Sequence, residues 1–546
     1  MVLLSANGGN RLHAPAKGRV ALVSAYTCGA DVLEFGVQLT SDGQVVVATD
    51  ESVEAMTGTP GKVASMEQAQ LKALDFGATF SVRGSTALPW KKDPPEARIE
   101  SLGGLLDQLP PGVLKVIEAV VPNLATAEDL VGKTVKTLRG RGALSTTVLC
   151  SARPEVLRAA ATLAPELSTG LVVEANGGEA DIERWLETNP SVLVVQLGQV
   201  LGQDGQPTRL AAALHARQEQ GALSRGVIVR QPGGDGTFSK EQVAALSGLP
   251  LVYAISTASA LDTGPLVRQY RTLQESSFEG KVEEPGRIHF GYAKANRYAH
   301  VYQDDGVHVK IAPYDGPVQA PPTDDPVQKQ LNRLQEGQWG TARDWPFYSG
   351  GGFGTAFGID GDFIVEVDFS SKVATQATTL EMAAINADPA KHRPGWKEGP
   401  DGQPVPNVPA SFRDKDSFYD PHGSPPFVGV EHDEDDGYRM NHNLGTEYDH
   451  NQYHRPLGDG TTLRGRFRLE RRGPYFSAYY KDEQNTDWVC VGVCRNDSLN
   501  PRVFIRCAGK RWRQEADTTA ASGPFFPIIA NHFVFKNFVV LTPLGG

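Results

Sequence analysis

Cysteine is scarce in this chain: five in 546 residues, at positions 28, 150, 490, 494 and 507. That is too few and too scattered for a disulfide framework, and no CxxC pair suggests a structural zinc. Cys490 and Cys494 would share one face of a strand about 13 Å apart, too far for a disulfide, so reduced, buried thiols are expected. A basic excess is also missing. The 53 Lys and Arg against 64 Asp and Glu leave a net charge of −11, which points away from nucleic acid and anionic membranes as partners. No window approaches 18 uninterrupted apolar residues, so no transmembrane helix is expected. The opening MVLLSANGGNRLHAP has neither a basic segment nor a long apolar core, unlike a secretory signal. A cytoplasmic location, or one in a virion or other assembly, is the expectation, and an oligomer is compatible with it.

What is present is a change of style along the chain. From residue 1 to about 260, short Val/Leu/Ile-rich runs alternate with amphipathic stretches such as 154–167 and 209–220. Near-continuous apolar strands are buried on both faces, and βαβ alternation over this length predicts a (β/α)8 TIM barrel. Nine strand candidates compete for eight places, and the pair joined at Ser41-Asp42-Gly43 reads as a hairpin contributing the extra strand. Residues 283–320 read as a small β connector, with a Pro-rich linker at 316–326. Residues 327–546 carry alternating runs broken by Gly, Pro, Asn and Asp, and predict an antiparallel β-sandwich with a long polar insertion at 386–426.

The stretch Val2–Asp50 identifies the barrel more closely. After the first strand come a Gly-rich turn and an Ala-Pro, then GADVLEF, then TSDGQVVV, then Thr49-Asp50; LKALDFG, RIESLGGLLDQLP and LKVIEAV follow. In order and spacing this resembles the glycerophosphodiester phosphodiesterase family of phosphatidylinositol-phospholipase-C-like barrels, over roughly 1–260. The resemblance implies a TIM barrel with its chemistry at the C-terminal strand ends, a histidine pair for acid–base work, and three carboxylates holding Ca2+ or Mg2+. Against that pattern, Asn7 and Thr49 stand at the histidine positions, and the second-strand Glu-x-Asp becomes Glu34-Phe35-Gly36. Asparagine and threonine cannot move a proton near neutral pH, and each acid–base group lost costs roughly 10²–10⁴ in rate.

What the resemblance leaves is a possible divalent-cation site from Glu34, Asp50 and Glu118. His13, in the loop six positions past Asn7, is the histidine that could swing over the mouth, although a solvated loop histidine is the plainer reading. Arg11, Lys17 and Arg230 could hold an anionic small molecule or lipid headgroup by charge and fork geometry. The second half looks like concanavalin- or laminin-G-like sandwiches, which implies a glycan partner. Asp433 and Asp435 are candidates for a cation there, and Trp488 and Trp512 for a sugar-stacking platform, with buried core aromatics as the alternative. Two function classes follow. The first is a degenerate barrel acting as a binding or structural module beside a carbohydrate-binding sandwich. The second is a metal-dependent enzyme with altered chemistry on a phosphodiester or related anion.

Overall fold

The computed structural model describes residues 2–16, 18–82, 85, 97–232, 236–280, 288–289, 299–311, 349–372, 378–386, 396–398, 404–406, 427–433, 437–443, 448–453, 462–511 and 530–544. The chain divides into two compact units, Met1–Arg83 with Lys92–Gln269, and Gly84–Lys91 with Tyr270–Gly546. Among the described residues no helix is long and apolar enough to cross a membrane.

In the first unit nine strands form one sheet: β1 Leu3–Asn7, β2 Val32–Leu39, β3 Val45–Val47, β4 Leu114–Ala119, β5 Thr147–Ser151, β6 Ser168–Val172, β7 Val192–Gln196, β8 Gly226–Arg230 and β9 Val252–Thr257. Their order is β1-β9-β8-β7-β6-β5-β4-β2-β3, and a β1–β2 pairing closes the parallel strands into an eight-stranded barrel. The ninth strand, β3, pairs antiparallel with β2 across the Ser41-Asp42-Gly43 turn, as the hairpin pattern anticipates. Helices Pro154–Leu163 and Arg209–Glu219 occupy the predicted amphipathic stretches.

Side chains alternate across each strand, so every second residue enters the barrel. Val32, Val116, Val148, Val192, Val194, Ile228 and Ala254 fill the interior, while Leu171, Leu193, Val195, Val227, Val229 and Ile255 face the outer shell with Trp185 and Leu214. Extending the same parity to the C-terminal strand ends brings Ser5, Glu34, Glu118, Cys150, Gln196, Arg230 and Ser256 inward. The apolar filling thus gives way to a polar layer at the end of the barrel where this fold places its chemistry.

The second unit contains two eight-stranded antiparallel sheets. Tyr438 of one stacks on Tyr480 of the other at 3.6 Å, which places the two sheets face to face as a sandwich. The segment 283–320, read from sequence as a connector, contributes Ala299–Gln303 and Val307–Ile311 to one of these sheets, where Val307–Ile311 pairs with Asn531–Pro543. Tyr270–Ser276 pairs with the same long strand. Hydrogen bonding therefore carries the sandwich unit back to Tyr270. All five cysteines are buried and none forms a disulfide.

Candidate active site at the barrel mouth

Glu34 projects from the middle of β2 into the barrel and is 1% exposed. A carboxylate that deep needs partners, and it has two. Ser5 Oγ donates to Glu34 Oε1 at 2.5 Å from the neighbouring strand. Arg230, the last residue of β8, donates to Glu34 Oε2 from Nη2 at 2.8 Å and from Nε at 3.2 Å. The remaining arm of the fork, Nη1, reaches Glu118 Oε2 on β4 at 3.4 Å. One guanidinium therefore reaches across the barrel from β8 and bridges two carboxylates on the adjacent strands β2 and β4. Burial works against its charge, but Glu34 and Glu118 outweigh that and hold Arg230 above its ordinary value. Cys150 faces the same space. Burial pushes its thiol up, Arg230 opposes this, and Glu118 and Glu34 add to it, so it is no thiolate nucleophile near neutral pH.

The register around Arg230 adds two further groups. Gln196 on β7 and Ser256 on β9 are its partners on either side. Ser256 is 3% exposed, and neither its Oγ nor Gln196 Oε1 has a hydrogen-bond partner among the described residues. Buried polar atoms seldom stay unpaired, so each marks a position where a ligand or water completes the layer. Gln196 also lines a cavity of about 570 Å³ with Asn176, Gly177, Gln199, Thr208 and Pro232, at the ends of β6 to β8. That volume lies in the range of small-molecule sites.

At the positions where the resemblance implies histidines, the structure is closed by small residues. Asn7 ends β1, and the chain turns away through Gly8 and Gly9, both in the left-handed region. Any Cβ on Gly9 would sit 2.3 Å from the Ala21 carbonyl of the following helix. Thr49 Oγ1 accepts the Gly36 N–H at 3.0 Å. A Cβ at position 36 would lie 2.6 Å from that hydroxyl and 2.7 Å from the Thr49 Cα. Glycine and threonine there form a fitted pair.

Several sequence expectations need correction. His13 is not a solvated loop residue able to reach the mouth. It is fully buried, with Nε2 2.9 Å from Ser259 Oγ and 3.5 Å from Asp262 Oδ2. Beside it, Asn10 Oδ1 accepts the N–H groups of Ala260 and Leu261, so the first loop caps the helix Ala260–Val267. Asp50 is exposed and lines a cavity of about 30 Å³ between β3 and the segment 97–100. Among the described residues no group of three or more His, Cys, Asp or Glu is placed to hold a metal ion. The cation set Glu34, Asp50 and Glu118 is therefore not assembled: Arg230 already engages both glutamates. The residues present do not fit a divalent cation. Arg11 is half-buried in the first loop, and Lys17 lies outside the described residues.

In the sandwich, the Trp488 ring is only 9% exposed, with Arg468 and Lys481 over it at 5.8 and 4.8 Å. It offers no open stacking platform. Glu431 pairs with Arg439, and His432 packs edge-on against Tyr438, so both residues belong to the sandwich interior. Asp433 ends a described strand, but its side chain, like Asp435 and Trp512, falls outside the described residues. Sequence reasoning missed Ser5, Gln196 and Ser256. Inward parity at a strand's last turn is the signal that finds them.

Residues 20–221 match the Glycerophosphoryl diester phosphodiesterase family. A glycerophosphodiester phosphodiesterase of Caldanaerobacter subterraneus subsp. tengcongensis is 37% identical over 78 residues, which span 14% of this chain and 32% of that protein. Among solved structures, a glycerophosphodiester phosphodiesterase from Agrobacterium tumefaciens is 18% identical (TM-score 0.37), covering 48% of this chain and all of that one. An Oleispira antarctica phosphodiesterase in complex with the product sn-glycerol-3-phosphate is 17% identical (TM-score 0.38), covering 48% of this chain and 96% of that one. The chain thus joins a glycerophosphodiester-phosphodiesterase-like TIM barrel to an antiparallel β-sandwich.

Proposed function

We propose that this phosphodiesterase-like barrel is a binding module for a small anionic molecule of the phosphodiester class, such as a glycerophosphodiester or a lipid headgroup, and does not hydrolyse it by histidine-pair chemistry. The observation that carries this reading is the row Gln196–Arg230–Ser256, in register across β7, β8 and β9. A guanidinium has five N–H donors. Three are committed to Glu34 and Glu118, which leaves one on each Nη for a ligand oxygen. The unpartnered Ser256 hydroxyl beside it can donate to the same ligand, while the Gln196 amide oxygen would accept from a ligand hydroxyl, and Gln196 also lines the neighbouring 570 Å³ cavity. Glu34, Glu118 and Arg230 together carry one net negative charge, so recognition is directional and of modest affinity.

The absence of hydrolysis is expected from Asn7 and Thr49. The full chain, incubated with bis-p-nitrophenyl phosphate or glycerophosphocholine in Ca2+ or Mg2+, should give no turnover above buffer. Turnover that disappears in Glu34→Gln would overturn the binding-module reading. It would favour altered hydrolysis instead, for which one observation speaks: Glu118 is 23% exposed and among the described residues is held by the 3.4 Å contact alone, so it keeps a carboxylate oxygen able to act as a base. For the sandwich we propose carbohydrate binding on its fold resemblance alone. A glycan array with the full chain is expected to show a hit, and binding to no glycan would remove that part of the reading.

A further inference from the structure

The two glutamates of the mouth come from the neighbouring, hydrogen-bonded strands β2 and β4, one of them almost completely buried. Such a pair ordinarily demands a cation between its members, because uncompensated buried carboxylates are expensive. We infer that Arg230 is that cation: a resident guanidinium occupies the position a divalent ion would take between Glu34 and Glu118, and the wild-type mouth has no divalent-cation requirement. This inference rests on the reading of the mouth as the ligand site, but it concerns what compensates the carboxylates rather than what ligand enters.

Charge and geometry both support it. The guanidinium places three N–H groups on two oxygens, Glu34 Oε2 and Glu118 Oε2. Those are the atoms a bridging metal would need as ligands, and a hard divalent ion needs several more oxygens besides. Ser5 already occupies the other Glu34 oxygen, and Asp50 borders a different cavity. Replacing Arg230 by a neutral side chain changes the local charge from −1 to −2, which a divalent cation would neutralise. The site is therefore metal-free because its cation is covalently part of β8, and removing that cation should create a metal site.

Mn2+ binding to the full chain, counted by equilibrium dialysis with electron paramagnetic resonance of the free ion, tests this without any substrate. Wild type and Glu118→Gln are expected to bind the same number of Mn2+ ions, since any ions held elsewhere cancel in the comparison. Arg230→Gln is expected to bind one more than wild type, and Arg230→Gln with Glu34→Gln to lose it again. A site present in wild type and lost in Glu118→Gln overturns the inference, as does a folded Arg230→Gln chain with no added site. Should Arg230→Gln unfold in metal-free buffer, circular dichroism decides: folding restored by Mn2+ supports the inference, and no restoration counts against it. None of these outcomes depends on hydrolysis, so the inference and the binding-module reading can fail separately.

Discussion

Arg230→Met is expected to destabilise the barrel by about 3–5 kcal/mol, the cost of removing one partner of a buried ion pair and leaving the other charge uncompensated. Glu34 is the reason. At 1% exposure it would retain only the Ser5 hydroxyl as a donor, whereas Glu118, at 23% exposure, can turn to water. The double variant Arg230→Met with Glu34→Gln should recover more than about 1 kcal/mol of the single variant's loss, as residues in direct contact are not additive. Hydrogen exchange by mass spectrometry, read on peptides covering β2, β4 and β8, isolates the barrel from the sandwich. A loss below about 1 kcal/mol, or strict additivity, would mean that the guanidinium does not compensate Glu34.

Lys115 carries the second large effect. Its side chain is buried on the outer side of β4, 5% exposed, where its Nζ donates to the Val113 carbonyl at 2.6 Å and to Thr146 Oγ1 at 3.0 Å. Neither partner is charged, and burial brings its pKa down from 10.5 to about 8. The folded ammonium is thus disfavoured relative to the unfolded one. The penalty is full below pH 8 and is relieved as pH rises from about 8 to 10.5, over which the unfolded chain binds more protons. At 1.36 kcal/mol per unit it amounts to about 3 kcal/mol near neutrality. Lys115→Met removes the penalty but also two hydrogen bonds worth about 1 kcal/mol each, so a net gain of about 1–2 kcal/mol is expected at pH 7. The gain should disappear by pH 10. Urea unfolding of both proteins at pH 7 and pH 10 checks this, and a variant less stable than wild type at pH 7 would contradict it.

The barrel was legible in the sequence because its strands are buried on both faces, and unbroken valine and leucine runs have few other homes. The Ser-Asp-Gly turn likewise announced the extra antiparallel strand. The second unit's first strand was not legible. Tyr270–Ser276 leaves most of its residues exposed or half-buried, so it lacks a hydrophobic signature and is held by pairing with a strand more than 260 positions away. The site divides in the same way. Glu34, Glu118 and Arg230 were each identified, two as metal ligands and one as an anion clamp. That they bind one another could not be read, because Arg230 lies 196 and 112 residues from its partners. His13 looked like a loop histidine for the same reason: Ser259, which buries it, is 246 residues away. Local pattern reports a strand and its parity, while compensation between charges is decided only when the barrel closes.

The fit between Gly36 and Thr49 bears on which substitutions this mouth can accept. An aspartate introduced at 36 would collide with the Thr49 hydroxyl and with its Cα, so trimming the threonine side chain alone would not admit it; the end of β3 must also shift. A histidine introduced at 49 would forfeit the hydroxyl that accepts the Gly36 N–H, without regaining the carboxylate opposite. Either replacement made alone is disfavoured by the residue opposite, so positions 36 and 49 are sterically coupled and a change at one is accommodated only with a change at the other.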